Sequence, residues 1–203
     1  MKEKWVVSAK KADFQAIGQH FGIDPVLARI MRNRGLTDLQ EMNLYLHGTR
    51  TDLNDPHLLK DADLAAQILR EKIKEKKRIR IIGDYDIDGI QSTYILYCAL
   101  RRLGADADFV IPDRILDGYG LNERLVTRAS QDGIDTILTC DNGISAIDQI
   151  HLAKSLGMTV VVTDHHEVPF TEVDGVRKEK VCEADAVVNP KQQACHYPFK
   201  KLC

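Results

Sequence analysis

The chain has 203 residues, 44% of them hydrophobic and 29% charged, which is enough for one packed domain with an accessory segment. Its formal net charge of −2 gives no overall basic signal for nucleic acid, although a carboxylate-rich metal site would itself lower the count. No apolar run approaches the roughly 20 residues of a membrane span. The first residues lack the apolar core of a signal peptide, so a cytoplasmic location is expected.

The first part of the chain, residues 1–77, reads as helices only. Helices are predicted over 11–20, 24–33, 37–47 and 61–77. Asp24 before Pro25 is typical of a helix start, and Thr37 with Gln40 predicts a capping box. Asp61 is predicted to cap the longest helix. Seven basic residues lie within 70–80, but glutamates interrupt them, which favours a solvated helix face over a nucleic-acid surface.

From residue 78 the pattern changes to strands alternating with helices. Strands are predicted at 78–83, 107–112, 135–140, 158–163 and 184–189, and helices at 90–104, 122–133 and 146–157. Apolar strands without alternation indicate a parallel sheet covered by helices on both faces, a Rossmann-like α/β fold. The charged segment 171–183 is predicted to be an exposed loop. The predicted division is a helical segment, 1–77, followed by an α/β domain, 78–203.

Three segments rich in Asp and His follow three of the predicted strands. They are 83–89 with Asp84, Asp86 and Asp88, then 140–143 with Asp141, and 164–167 with Asp164, His165 and His166. The carboxyl ends of parallel strands meet at one edge of a sheet, so these side chains should converge. At least four negative charges around one crevice are costly unless cations neutralise them. The sequence therefore predicts a metal centre, with Mn²⁺ or Mg²⁺ favoured by its oxygen-rich ligands.

Each segment also has a structural interpretation. Asp and Gly after a strand are common turn and cap residues, and a His-His pair alone is a weak metal signal. The segment from Asp84 imitates the start of an EF-hand loop, but the twelfth position is Ile95 rather than Glu and a strand precedes it, so calcium binding of that kind is not expected. The five cysteines form no C-x-x-C pair, so a structural zinc site is not expected and free thiols are predicted.

The three segments together resemble motifs one to three of the DHH phosphoesterase family. In the oligoribonucleases, cyclic-dinucleotide phosphodiesterases and family II inorganic pyrophosphatases of that family, the first motif looks like His-x-x-x-Asp-x-Asp-Ser. The segment here is instead similar to the version found in single-strand-specific DNA exonucleases. Further stretches that resemble the exonuclease branch are Trp5, Arg34-Gly35, Asp55-Pro56, Pro112-Asp113-Arg114, Gly118-Tyr119-Gly120-Leu121-Asn122, Asn189-Pro190-Lys191 and Tyr197-Pro198-Phe199-Lys200.

The resemblance implies metal-dependent 5′→3′ hydrolysis of single-stranded DNA to 5′-mononucleotides by two ions, in recombination and repair. It implies these residue roles: Asp84, Asp86, Asp88, Asp141 and His165 as metal ligands, with Asp141 bridging; Asp164 orienting the histidines; His166 and Arg114 contacting phosphate. A surface ion pair is an equal alternative for Arg114. The resemblance also implies a monomer whose partners include a single-stranded-DNA-binding protein and a helicase.

The sequence departs from the family after the third motif. A fourth motif with a further metal-binding Asp, a second catalytic domain and an OB-like domain are expected in the family but do not follow within these residues. The chain is therefore expected to be a fragment with weak or no activity. Two alternatives stay open: a DHH oligoribonuclease or cyclic-dinucleotide phosphodiesterase, and an inactive module that binds nucleic acid or a partner protein.

Overall fold

The structure is a computed structural model that describes residues 3–4, 10–200 and 202. Trp5 and Cys203 lie outside the described residues. The chain forms two compact units, residues 1–53 and 54–203. Among the described residues, no helix is long and apolar enough to cross a membrane.

The first unit contains three short helices that begin at aspartate caps. They are α1 (Phe14–Phe21), α2 (Pro25–Asn33) and α3 (Leu39–His47), followed by a 3-10 turn, Arg50–Asp52. The Asp24 carboxylate accepts from the Val26 N–H, and Pro25 takes the first helical position as predicted. The capping box at Thr37 was placed one residue early: Asp38 is the cap, and the Glu41 carboxylate accepts the backbone N–H of Thr37 at 2.8 Å.

The second unit is an α/β fold. A 3-10 turn (Pro56–Leu58) precedes α4 (Ala62–Lys74), and the elements that follow are β1 (Arg78–Ile82), α5 (Ile87–Arg102), β2 (Asp106–Val110), α6 (Glu123–Gln131), β3 (Thr136–Cys140), α7 (Ile147–Ser155), β4 (Thr159–Thr163), β5 (Phe170–Val173), β6 (Val176–Glu179) and β7 (Ala186–Val188). The main sheet is parallel throughout, with strand order β2-β1-β3-β4-β7. The predicted parallel sheet flanked by helices is confirmed.

Both faces of this sheet are buried. Ile79, Ile81, Leu138 and Val161 pack against α4 and α5, while Ile82, Ile137 and Val160 pack with residues of α6 and α7. Helix α4 contributes Ala65, Ile68, Leu69 and Ile73 to the first of these clusters. Because these side chains lie in the core of the sheet, α4 belongs to the same compact unit, residues 54–203.

Two local predictions about this unit were wrong. Asp61 has a left-handed backbone (φ 62°) and does not cap α4; its carboxylate accepts from the Val187 N–H of the edge strand β7 at 3.3 Å. The segment predicted as a loop at 171–183 instead forms the antiparallel hairpin β5–β6. Asp174 and Gly175 at its tip both have positive φ, 54° and 76°, as a two-residue hairpin turn with the twist of its strands requires.

The basic cluster at 70–80 makes ion pairs within the fold. The Arg80 side chain is buried and its guanidinium donates to the carboxylates of Asp108 (2.7 and 2.8 Å) and Asp132 (2.7 Å). Lys72 pairs with Asp135 at 2.7 Å. These contacts join β1, β2 and the end of α6, which favours the structural interpretation of this cluster over a nucleic-acid surface. The four described cysteines are free thiols.

Candidate metal centre

The strand order reverses at β1, which has β2 on one side and β3 on the other. Connections from such a switch point leave in opposite directions, so a crevice opens at the carboxyl ends of β1 and β3. Asp84 follows β1, Asp141 follows β3, and Asp164 follows the adjoining strand β4. The fold therefore brings the three sequence segments to one edge of the sheet.

The first segment turns directly from β1 into α5. Asp84 is fully buried; its Oδ1 accepts from the Gly120 N–H at 3.3 Å, and its Oδ2 has no hydrogen-bond partner among the described residues. Asp86 caps α5 and accepts from the N–H groups of Asp88 and Gly89, both at 3.0 Å. The bond from Gly89 lowers the pKa of the Asp86 carboxyl. Asp86 is therefore an anionic carboxylate at the edge of the crevice, whereas Asp84 is buried inside it.

Asp141 combines a restricted backbone with a carboxylate that makes no hydrogen bond within the described residues. Its backbone is left-handed (φ 62°), and its N–H donates to the Thr163 carbonyl at 3.1 Å. Both carboxylate oxygens are buried and accept no hydrogen bond from the part of the chain that the structure describes. Burial, and then the nearby carboxylate of Asp86, raises the pKa of Asp141 to about 7. Burying a carboxylate whose two oxygens accept no hydrogen bond destabilises the fold unless a cation binds to it.

The third segment is organised by Asp164. Its Oδ1 accepts from the backbone N–H groups of His165 (2.7 Å) and His166 (3.1 Å) and from His166 Nδ1 (2.7 Å). Its Oδ2 accepts from the Ile144 N–H at 2.9 Å. The rings of His165 and His166 stack with centroids 4.5 Å apart. The Asp164 carboxylate therefore holds the His166 ring and the backbone of both histidines.

Two sets of potential ligand atoms overlap at Asp141. Asp84, Asp86 and Asp141 form one set, and Asp141, Asp164, His165 and His166 form the other, with the ligand atoms of each set within 4.8 Å of one another. His165 Nδ1 lies 3.4 Å from Asp141 Oδ1. Asp88 is in neither of the sets found among the described residues and lines the groove beside Asp141. The unpartnered oxygens of Asp84 and Asp141 fit divalent cations that prefer oxygen ligands.

One side chain at this crevice was missed by the sequence analysis. The Tyr119 hydroxyl donates to the Asp141 carbonyl at 2.7 Å, and its oxygen is 3.1 Å from His166 Nε2. The only sequence signal was its place between Gly118 and Gly120, in a stretch already quoted for the family resemblance. Arg114 is not a member of either ligand set; its guanidinium lies over the Tyr85 ring, 5.2 Å from the centroid.

Comparison with known proteins agrees with this geometry. The model of the DHH family, N-terminal domain, matches residues 78–199. The chain belongs to the DHH family.

Among curated proteins, the chain is similar to the single-stranded-DNA-specific exonuclease RecJ of Bacillus subtilis, with 37% identity over 99% of this chain and 25% of the relative. It is also similar to RecJ of Escherichia coli, with 34% identity over 89% of this chain and 29% of the relative. The chain thus spans between a quarter and a third of the length of these relatives.

Two solved structures share the fold. A crystal structure of exonuclease RecJ bound to manganese has a TM-score of 0.58 and 34% identity, covering 67% of this chain and 32% of that one. RecJ from Thermus thermophilus in complex with Mn²⁺ has a TM-score of 0.56 and 27% identity, covering 91% of this chain and 24% of that one. Both similar structures contain the cation class that the ligand chemistry predicts here.

Proposed function

We propose that this protein is a metal-dependent exonuclease that hydrolyses single-stranded DNA from the 5′ end to 5′-mononucleotides, in recombination and repair. The observation that carries the proposal is Asp141, a buried carboxylate that belongs to both ligand sets and whose oxygens accept no hydrogen bond from the described residues. The similarity to RecJ exonucleases along nearly the whole chain supports DNA as the substrate. Because the relatives are three to four times longer, the activity is assigned to the whole protein.

The proposed cofactor is a pair of Mn²⁺ or Mg²⁺ ions. Asp84, Asp86, Asp88, Asp141 and His165 would hold them, and Asp141 would contribute to both. When bound, the ions would lower the pKa of the attacking water and neutralise the phosphoryl oxygens. Asp88 would take part from the groove that it lines beside Asp141.

The chain's own side chains would position the substrate. His166 is 44% exposed and held by Asp164 through Nδ1, so its ring faces the crevice where a phosphate would lie. Asp164 fixes both histidines by accepting their backbone N–H groups. Arg114 would contact a phosphate from the loop after β2, with its guanidinium ordered by stacking on Tyr85.

In sequence, the proposed organisation is a helical segment, residues 1–77, and a DHH phosphoesterase domain, residues 78–203, with α4 of the helical segment packed against the sheet. By family resemblance the proposal also includes a monomer located in the cytoplasm, with a single-stranded-DNA-binding protein and a helicase as partners. The free thiols among the described cysteines are compatible with a reducing compartment. Size-exclusion chromatography with light scattering would test the monomer.

The test is an exonuclease assay on single-stranded DNA labelled separately at each end, with Mn²⁺ present. The assay would use the longest gene product that contains these residues, and the 203-residue chain would be assayed beside it for weak or no activity. We expect labelled mononucleotide to appear first from the 5′ end only, and Asp141→Ala to abolish it. Asp148→Ala is the matched control, because Asp148 is an exposed carboxylate in the first turn of α7. Turnover of a dinucleotide or cyclic dinucleotide without DNA cleavage would overturn the exonuclease assignment.

A further inference from the structure

Two grooves that differ in the charged residues of their linings meet at His165. One, of about 520 Å³, has an apolar wall that includes Ile95, Leu96, Val188 and Pro190, next to the carboxylates of the metal centre. The other, of about 800 Å³, is lined by His165, His166, Lys191, Lys200, Gln192 and Gln193, with Glu167 as the carboxylate among its described lining residues. The two sides of the metal centre therefore offer different environments to a strand of nucleic acid.

Lys191 is held in the second groove by a buried amide. Its backbone N–H donates to Asn189 Oδ1 at 2.8 Å, and Asn189 Nδ2 donates to the His166 carbonyl at 3.0 Å. Asn189 is fully buried, so one side chain fixes the backbones of both Lys191 and His166. The buried Gln192 side chain donates to the Val187 carbonyl at 2.7 Å and ties the same loop to β7. Lys191 is thus in fixed register with the crevice histidines.

The Lys191 ammonium can exchange the Glu167 carboxylate for a phosphate. The Lys191 side chain is 24% exposed, and its Nζ is 3.2 Å from Glu167 Oε1, whereas the Glu167 side chain is 75% exposed. An ion pair with so exposed a partner adds little stability, because water screens it. A partly buried lysine loses less side-chain entropy when it binds an anion than a fully exposed one does.

We propose that Lys191 binds the phosphodiester next to the one at the metal centre, so that the DNA backbone leaves the metal centre across His166 into the lysine-lined groove. This inference rests on the proposed function and adds the path of the substrate. A phosphate favours this side because Lys191 supplies a positive charge here. On the other side, the described lining of the groove includes no lysine or arginine, and Asp88 adds a negative charge.

The inference is tested by the affinity for fluorescently labelled oligothymidylate, measured by anisotropy over a range of salt concentrations with Ca²⁺ present to neutralise the carboxylates. We expect Lys191→Gln to raise Kd about tenfold at low salt, as for loss of one charged hydrogen bond. The slope of log K against log salt should fall by about 0.7, the value for one phosphate contact on a single strand. The matched control is Lys74→Gln, an exposed lysine in the last turn of α4, at the opposite end of the sheet.

Two further measurements separate a phosphate contact from a general charge effect. Glu167→Gln should lower Kd in the wild-type background, because it frees the ammonium, and should have a smaller effect when combined with Lys191→Gln. A neutral methylphosphonate would be introduced at each linkage of the oligonucleotide in turn. At one linkage only, it should remove the difference in Kd between wild type and Lys191→Gln.

The outcomes distinguish this inference from the proposed function. Equal Kd values and salt slopes for the Lys191→Gln and Lys74→Gln variants, with DNA cleavage intact, would overturn the lysine subsite and leave the exonuclease standing. The lysine subsite would also be overturned if methylphosphonates removed the Kd difference between wild type and Lys191→Gln at every linkage, or at none. Absence of both DNA binding and cleavage in the wild-type protein would overturn the two together.

Discussion

The buried Nδ2 of Asn142 lies 2.9 to 3.0 Å from the carbonyl oxygens of Ile82, Gly83 and Cys140, so its two N–H groups are shared among three acceptors. Its Oδ1 accepts from the Leu121 N–H at 3.2 Å. One amide therefore joins the ends of β1 and β3 to the loop that precedes α6. The neighbouring Asp141 carboxylate, by contrast, has no hydrogen-bond partner within the described chain. Asn142 thus secures the backbone around the crevice, whereas the adjacent Asp141 carboxylate is left available for a cation.

This contrast predicts how stability depends on pH. The pKa of Asp141 is raised from 3.8 to about 7 in the fold, so the metal-free folded protein retains a proton that the unfolded chain releases. Stability without metal should therefore fall as pH rises from about 4 to about 7. Asp141→Asn removes the free-energy cost of ionising this buried carboxyl. We expect it to give a higher Tm than wild type at pH 8 without metal, and no increase in Tm with Mn²⁺.

The measurement is thermal unfolding at pH 5 and pH 8, with and without Mn²⁺. Wild type should be stabilised by the ion at pH 8, by about 2.7 kcal/mol at a hundredfold excess over Kd. The stabilisation should be smaller at pH 5, because protons compete with the ion for Asp141. Asp148→Asn serves as the control and should behave as wild type. An Asp141→Asn variant that is less stable than wild type at pH 8 would contradict the explanation.

At the scale of elements, the metal centre depends on how closely α5 approaches the end of β1. A Cβ on Gly89, in the first turn of α5, would lie 2.5 Å from both the N and the O of Asp84. These are backbone atoms, so a side chain at Gly89 cannot be accommodated by a change of rotamer. The glycine therefore sets the distance between the helix cap Asp86 and the buried carboxylate Asp84.

We expect Gly89→Ala to separate α5 from β1 and to move Asp84 away from Asp141. The predicted cost is about 1–3 kcal/mol of unfolding free energy from overpacking, although alanine favours a helix more than glycine does. Mn²⁺ affinity, measured by titration calorimetry, should fall at the same time. Gln91→Ala, at an exposed position close by in the same helix, should change neither quantity. Unchanged Mn²⁺ affinity in Gly89→Ala would show that the close approach does not set the ligand geometry.

At the scale of the whole molecule, the site residues belong to one of the two compact units. Every predicted ligand and phosphate-contacting residue, from Asp84 to His166, lies within residues 54–203. Helix α4 is part of that unit because its apolar side chains pack in the core beneath the sheet. Residues 54–203 therefore contain a complete hydrophobic core together with the metal centre.

This division predicts that residues 54–203 fold by themselves. The truncated chain should unfold in one cooperative transition, because its core is its own. Mn²⁺ should raise its Tm by the same amount as in the 203-residue chain. A second truncation, to residues 78–203, removes α4 and exposes Ile79 and Leu138, so it should not give a cooperative transition. Folding of 78–203 with an unchanged Tm would show that α4 is dispensable. Circular dichroism melts would measure both truncations.

The parallel sheet, the positions of the three motifs at strand ends, and the carboxylate-rich character of the site were all predictable from the order of amino acids. These follow from local signals: apolar runs such as RIRII, aspartate caps such as Asp86, and the order of strands and helices. The convergence of Asp84, Asp141 and Asp164 was predictable because parallel strands end at a common edge.

Long-range contacts in the fold determine which of these side chains lack hydrogen-bond partners and what surrounds them. Tyr119 and Asn189 reach the crevice through hydrogen bonds to residues at least 22 positions away in sequence, and no local pattern marks such contacts. Asp61 likewise binds β7 instead of capping its own helix, because the Val187 N–H on the outer side of this edge strand is not used by another strand of the described chain. Local pattern fixes where a strand ends, whereas burial and long-range hydrogen bonds fix which polar atoms stay free to bind a cation or a phosphate.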